Sequence, residues 1–499
     1  MSNVLRMGLT SLVSILLPIY LTHHLSVPVY GAWVLILQLS AYVGYLNLGV
    51  QTALSKYIAE YLATGDHAGC ADCVSVGLFI MMGAATLGIG LVVVLVAFAP
   101  HLFRDLPPNL LRDVRISVLF VGISLSFGLV TSVFSAIFLG LQQYHIPMVI
   151  AVASRLLYAV VICSAVSLHR SVILMAVGAA AVNILTSLAE VAAWRLYAGF
   201  FRVGLRSASL AMLRRLTAYC SILTVWSGCM LFIGGLDVTI VAHYAFNQVA
   251  YYSIASAPTN LILTIIGAVL GPLLPAASAI SVTSSPRHMG DLLLRSTRYS
   301  TILLLTTGLP LLVGGYLVLR LWVGQTYALQ SILFLHVLLL ANIIRNLCAP
   351  YATVVVATSR QTVATASAVA EGVVNLCASI LLARHIGAIG VALGTLIGSV
   401  AGVVMHFGLS MHYTQADFSV SRRRLLVKGI LWPGTMALPS LLLAPFWWSL
   451  KLHPAPPAIW VVWLASTAAL GWFVSLSSAD RILIHCGARR ALRLLPKAG

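Results

Sequence analysis

Apolar stretches of helical length recur along almost the whole 499-residue chain, and only 8% of its residues are charged. In hydrocarbon a backbone amide finds no water to bond, so a crossing segment must satisfy its own hydrogen bonds. A helix of about 20 residues does this and is long enough to cross. With 60% hydrophobic residues and a mean hydropathy of +1.01, lipid is the solvent for most of the chain. The fold class expected is an all-α integral membrane protein rather than a barrel.

Hydropathy predicts spans near 5–23, 29–51, 74–99, 115–139, 147–167, 172–194, 217–238, 249–275, 299–319, 331–355, 363–383, 388–411, 428–447 and 458–477, about 14 transmembrane helices. Arg155 and Glu371 are opposite charges within two of them. Sliding the chain along itself until Arg155 falls on Glu371 also superposes Ala136 on Ala352, His169 on His385, Ala176 on Ala392 and Gly178 on Gly394. This predicts two six-helix lobes with a pseudo-twofold repeat plus two C-terminal helices. The boundaries expected are 1–200 for the N-lobe, 201–215 for a basic inter-lobe linker, 216–411 for the C-lobe, 428–477 for spans 13 and 14, and 478–499 for a basic tail. A parallel six-span repeat has its axis along the membrane normal and can open a cavity between its lobes to either face.

Short basic loops stay cytoplasmic. With the N-terminus inside, 20 of the 29 Lys and Arg residues fall on the cytoplasmic side and 7 outside, with Arg155 and Arg345 inside spans. Both termini are then cytoplasmic. The net charge of +18 is spread over short loops with no nucleic-acid fold signature, so topology and anionic headgroups account for it, and no nucleic-acid partner is expected. No small-residue cleavage site follows the first apolar run before His23 and His24, so that run reads as an uncleaved span.

Catalytic signatures are thin. None of the four lysines follows a glycine, so there is no phosphate loop. H-E-x-x-H and G-x-S-x-G are also missing, and the predicted external segments are too short for a soluble catalytic face. No enzyme activity is expected. His67, Cys70 and Cys73 have metal-like spacing but lack a second ligand pair for a tetrahedral site, so no metal is assigned. Gly390, Gly394, Gly398 and Gly402 form a bare ridge that permits close helix packing, and no ligand contact is assigned to them.

The intramembrane polar set is Arg155, Asp237, Arg345 and Glu371, with Asn183, Asn342, Asn346 and Asn375 near them. A charge at the centre of a span costs about 2.5–3.5 kcal/mol on insertion scales, so such residues mark either a structural ion pair or a water-filled site. In the second reading, Arg155, Arg345 and Asn375, with Lys56 and Arg6 at the cytoplasmic mouth, are candidate substrate-binding residues. For Arg6 and Lys56, positive-inside anchoring is the competing role. Glu371 is the first candidate for ion coupling and Asp237 the second. Asp237 lies near a predicted span end, where solvent could reach it. Trp33, Tyr42, Tyr45 and Trp226 could stack on sugar rings or serve packing.

Three stretches carry a family resemblance. They are Leu21 to Trp33 continuing through Leu46-Asn-Leu-Gly49 to Tyr57-Ile-Ala-Glu-Tyr61, Tyr251-Tyr-Ser-Ile-Ala255 leading to Pro275, and Glu371-Gly-Val-Val-Asn375 through Gly387 to Thr395. The chain resembles bacterial polysaccharide and oligosaccharide-lipid flippases, of O-antigen or exopolysaccharide translocase type, in the multidrug/oligosaccharidyl-lipid/polysaccharide superfamily. The resemblance implies alternating access that carries an undecaprenyl-pyrophosphate-linked oligosaccharide from the cytoplasmic to the periplasmic leaflet of a bacterial inner membrane. No cofactor is implied beyond a coupling ion, H+ or Na+. The implied partners are the lipid-linked oligosaccharide, membrane lipids, a polysaccharide polymerase and a chain-length regulator. Asn47 stands where many relatives carry aspartate, which puts a coupling role there in doubt. A multidrug/cation antiporter of the same superfamily and a membrane-embedded polysaccharide polymerase are the alternatives.

Overall fold

A computed structural model describes residues 2–169, 171–198, 209–283, 286–358, 360–443, 457–476 and 481. Most of the expected basic linker and almost all of the expected basic tail lie outside the described residues. Among those described, every regular element is helical. The main helices are α1 (Ser2–His24), α2 (Val27–Ala41), α3 (Val50–Ala63), α4 (His67–Leu102), α5 (Pro108–Gly140), α6 (His145–His169), α7 (Val172–Tyr197), α8 (Leu210–Met230) and α9 (Asp237–Ala245). They continue as α10 (Val249–Leu270), α11 (Leu273–Thr283), α12 (Pro286–Val323), α13 (Gln325–Asn346), α14 (Ala349–Ala357), α15 (Gln361–Ile386), α16 (Ala388–Met405) and α17 (Met411–Phe418). Further helical segments run from Arg422 to Leu443 and from Pro457 to Ser475.

Among the described residues, eleven segments are long and apolar enough to cross a membrane, and Leu12–His24 and Val461–Ser475 are shorter apolar helices. The chain is a multi-pass, all-α membrane protein. Its outer surface carries large apolar side chains, among them Leu168 at 70% exposure and Leu321 at 79%, as contact with lipid tails requires.

Two segments depart from the predicted spans. The second span, expected as one helix over 29–51, breaks: α2 passes into a 3-10 turn at Tyr42–Asn47, and Leu48 and Gly49 then take left-handed conformations (φ 52° and 74°) before α3 begins. Glycine suits this bend because a Cβ at position 49 would lie 2.5 Å from the Leu223 side chain on α8. The seventh span, expected over 217–238, does not end there. α8 runs into a π-helical turn at Leu231–Gly235, and α9 starts at Asp237 after a single residue. At about 1.5 Å per residue, the 72-residue run from Leu210 to Ser281 is several times longer than the hydrocarbon is thick. It leaves helical geometry at Ala245 (φ −159°, ψ 62°).

Helix boundaries follow the internal repeat. The slide that sets Arg155 on Glu371 also sets the first residue of α6, His145, on that of α15, Gln361, and the first residue of α7, Val172, on that of α16, Ala388. The described chain forms two compact units, one of residues 1–257 with 371–398 and the other of 258–370 with 399–499. In the first, α5 packs against α2, α3, α4 and α7, and α1 lies on α6. Trp33, for which the sequence left sugar stacking and packing both open, is only 1% exposed and belongs to this core. In the second, one cluster gathers Leu293, Tyr351, Val354, Phe407, Met411 and Phe418. Another joins Leu304, Leu309, Leu339 and Ile343 to Met436 and Trp463, so the last described helix is held inside this unit.

Candidate functional site

The polar centre of the first unit is assembled by close helix approach. After Gly387, which turns the chain at φ 64°, α16 lies directly on α15. An added Cβ at Gly390, Gly394 or Gly398 would overlap Leu382 and Ala383, Ser379, or Asn375 in turn. The glycine ridge is therefore a packing device, and its effect is to set Val391 and Thr395 beside Ser379 and Asn375.

A continuous network results. The Asn375 side-chain amide donates to the carbonyl of Ile233 in the π-helical turn, and its oxygen accepts from Ser379 Oγ at 2.9 Å. Ser379 Oγ also lies 3.3 Å from Val391 O, and Thr395 Oγ1 lies 3.1 Å from the same carbonyl. Thr395 Oγ1 is 3.3 Å from Asp237 Oδ2, which accepts a second bond from Tyr252 at 2.9 Å. On the other side Gln38 Nε2 donates to Gly235 O at 2.6 Å, and the Tyr42 and Thr239 hydroxyls pair. The π-helical turn thus has two of its carbonyls bonded by side chains from α2 and α15, a local irregularity of the kind that collects at functional sites.

The position of Asp237 corrects the expectation from hydropathy. It is 8% exposed and buried at the start of α9, not solvated at a span end. Hydropathy could not find this, because a π-helical turn and a helix restart at Leu236 place the residue inside the unit rather than at an edge. The groups that meet its carboxylate are the Tyr252 and Thr395 hydroxyls, and the Val391 carbonyl, the Ser379 hydroxyl and the Asn375 amide oxygen follow along the same network. All are oxygens, and that set suits a hard cation or a proton.

Glu371 stands one helical turn before Asn375 on α15 and is 6% exposed. Beside it, Gly372 faces Cys229 and Phe232. Asn375 is fully buried with its amide committed to Ile233 and Ser379.

The candidate cations fall elsewhere. Arg155 is half-buried on α6, donates to Ser14 Oγ at 3.1 Å and lies 5.5 Å from the Tyr158 ring; no carboxylate among the described residues pairs with it. Lys56 is exposed on α3, with its Nζ 4.7 Å from the ring of Tyr219 and 5.1 Å from that of Tyr57. Next to it Arg215 bonds Glu60 at 2.9 Å and the Tyr61 hydroxyl at 2.9 Å. Arg345 is half-buried at the end of α13 in the second unit. Arg6 lies in α1, and its side chain is outside the described residues. Tyr42 is buried, Tyr45 half-buried and Trp226 39% exposed.

One acid is not singled out by the sequence pattern. Glu190 on α7 accepts from Ser135 Oγ of α5 at 2.6 Å. The available signal was an acid within an apolar segment, hidden by its closeness to Arg195 at the predicted end of the span.

No protein-family profile matches the chain, and no curated protein matches it. Solved structures do. The fold is that of an inward-facing multidrug resistance MATE family transporter of the MOP superfamily (14% identity, TM-score 0.65, covering 82% of this chain and 99% of that one). It is also similar to that of the lipid II flippase MurJ in an inward closed conformation (13% identity, TM-score 0.68, 99% and 98% covered). A MOP superfamily transporter from Pyrococcus furiosus, described by the reverse polarity of its binding pocket, also matches (14% identity, TM-score 0.58, 83% and 94% covered). At these identities the likeness establishes a shared fold.

Proposed function

We propose that this chain is an ion-coupled flippase. It moves undecaprenyl-pyrophosphate-linked oligosaccharide from the cytoplasmic to the periplasmic leaflet of a bacterial inner membrane by alternating access, for cell-surface polysaccharide synthesis. The observation that carries the reading is Arg155. A guanidinium inside an apolar span, held by a serine hydroxyl and an aromatic face without a carboxylate, is a cation kept available for an anionic ligand. A pyrophosphate offers that charge and a geometry that a guanidinium fork bonds in pairs. Lys56, resting on two tyrosine rings, offers a second such charge, and Arg345 and Arg6 are the further candidates from the sequence.

The coupling ion, H+ or Na+, binds at Asp237. Thr395 Oγ1, Val391 O, Ser379 Oγ and Asn375 Oδ1 lie along one network from it and supply neutral oxygens. The carboxylate supplies the charge that such an ion neutralises. Glu371, a turn from Asn375, is a second carboxylate for the same cycle. A polysaccharide polymerase and a chain-length regulator are partners on this reading.

Deletion of the gene in its host, with lipid-linked glycans then analysed, tests the assignment. Completed repeat units should accumulate on the cytoplasmic face; the wild-type gene should relieve this, Arg155→Ala should not, and Arg155→Lys should do so in part. The buried acids favour a second reading, exchange of cationic drugs. Drug resistance on expression, with surface polysaccharide unchanged by deletion, would establish that reading instead.

A further inference from the structure

Two titratable side chains, one half-buried and one buried, take no part in the sites above, and they occupy equivalent positions. The slide that matches the starts of α7 and α16, Val172 on Ala388, also sets Glu190 on His406. Their neighbours correspond as well. Ser135, which hydrogen-bonds Glu190, falls on Tyr351, whose ring meets that of His406 edge-on at 5.8 Å and 79°. The same two helix positions thus bring an ionisable group against the same partner position in both halves, with a carboxylate in one and an imidazole in the other.

Neither setting is saturated with hydrogen bonds. Thr131 and Ser135 of α5 are the groups that act on Glu190, and one turn further along α7 the Trp194 indole N–H is buried without an acceptor. His406 is 9% exposed, and its Nδ1 is buried without a partner. Tyr351 of α14 faces it; Cys348 and Arg422 are within electrostatic range of that tyrosine, whose hydroxyl is paired with Thr414 at 2.7 Å. From α15, Ser367 is committed to Ser410 at 2.6 Å. No carboxylate pairs with His406 and no cation with Glu190 among the described residues. Structural ion pairing therefore does not explain either residue, and proton relays are among the functions that ionisable residues in membrane spans mark.

We propose that Glu190 and His406 are a matched pair of proton-binding sites, one in each half of the chain, separate from the Asp237 network. Each takes up one proton from water when its helix is accessible and returns it to water, with no other bond made or broken. The inference does not depend on what the chain transports.

The test is proton uptake by the full-length protein reconstituted in liposomes, read with a pH-sensitive dye on a jump from about pH 8 to about pH 3, a window wide enough to titrate both a carboxyl and a buried imidazole. Glu190→Gln and His406→Gln should each take up one proton fewer per chain than wild type, and the double variant two fewer. Unchanged uptake in either single variant overturns the pairing. A second measurement guards against misfolding. The chain contains only three glutamates, Glu60, Glu190 and Glu371, so isotope-labelled glutamate gives a readable infrared carboxyl spectrum. Ser135→Ala keeps Glu190 but removes its hydroxyl donor and should move the pH-dependent band; a band that stays in place also overturns the proposal. Loss of transport in Arg155→Ala with proton uptake intact would separate this inference from the flippase reading.

Discussion

Gly394→Ala places a methyl group where α16 touches α15. The new Cβ would stand 2.5 Å from the Ser379 nitrogen and 2.6 Å from its Cα, against 3.4 Å or more for ordinary contact. These are backbone atoms, so no rotamer change relieves the overlap and the helices must part by about 1 Å. Overpacking of this kind costs about 1–3 kcal/mol. The separation also acts on two hydrogen bonds already near their limit, Ser379 to Val391 O at 3.3 Å and Thr395 to Asp237 at 3.3 Å. Losing both adds about 1 kcal/mol each, for a total of about 3–5 kcal/mol. Melting of the full-length protein in detergent measures this, and a titration with Na+ or protons during the same melts should show ion-dependent stabilisation weakened by roughly 10–100-fold in ion concentration. Gly128→Ala is the control, since its Cβ meets nothing within 4 Å and alanine is the better helix former by about 1 kcal/mol. If Gly394→Ala melts with Gly128→Ala at or above wild type, the α15–α16 contact does not hold the network together.

Asn375→Leu should destabilise by about 1–3 kcal/mol, because it leaves the Ile233 carbonyl buried without its donor, and chemical denaturation in detergent reads the loss. Asp237→Asn should abolish the stabilisation by cation or proton while leaving the Tyr252 contact able to form; the ion titration of melting is the assay. Asp72 accepts from both the backbone N–H (2.8 Å) and the hydroxyl of Ser209, just before α8. Asp72→Ala should therefore cost about 1.5–3 kcal/mol, read by chemical denaturation in detergent.

Hydropathy carried the fold a long way because each crossing must be helical and apolar whatever its neighbours are, and the internal repeat was visible because packing positions recur. Trp33 and Asp237 show where this information ends. An aromatic near a span end has the same hydropathy whether it meets a sugar or a core, and only the packing around Trp33 decides. Asp237 owes its burial to a π-helical turn, and π geometry has no composition of its own. The break at Leu48 and Gly49 was missed for a related reason: one glycine in an apolar run is ordinary in a membrane helix, and the left-handed leucine before it has no propensity signal at all. Glu190 could have been found, since an acid in an apolar segment is a signal, but hydropathy treats a span end as solvated.

The π-helical turn at His406–Ser410 has no counterpart in α7, which is α-helical from Val172 to Tyr197. A π turn accommodates one residue more than the α turn it replaces, as an insertion would, and each added residue rotates the rest of the helix by about 100°. From Met411 onward the helix therefore presents to its own unit a face displaced by one position from that of α7, and the register between the two halves slips by the same step. Two helices that begin in the same register finish with different side chains turned inward, so each half of the chain can evolve the end of this helix independently while sharing its beginning.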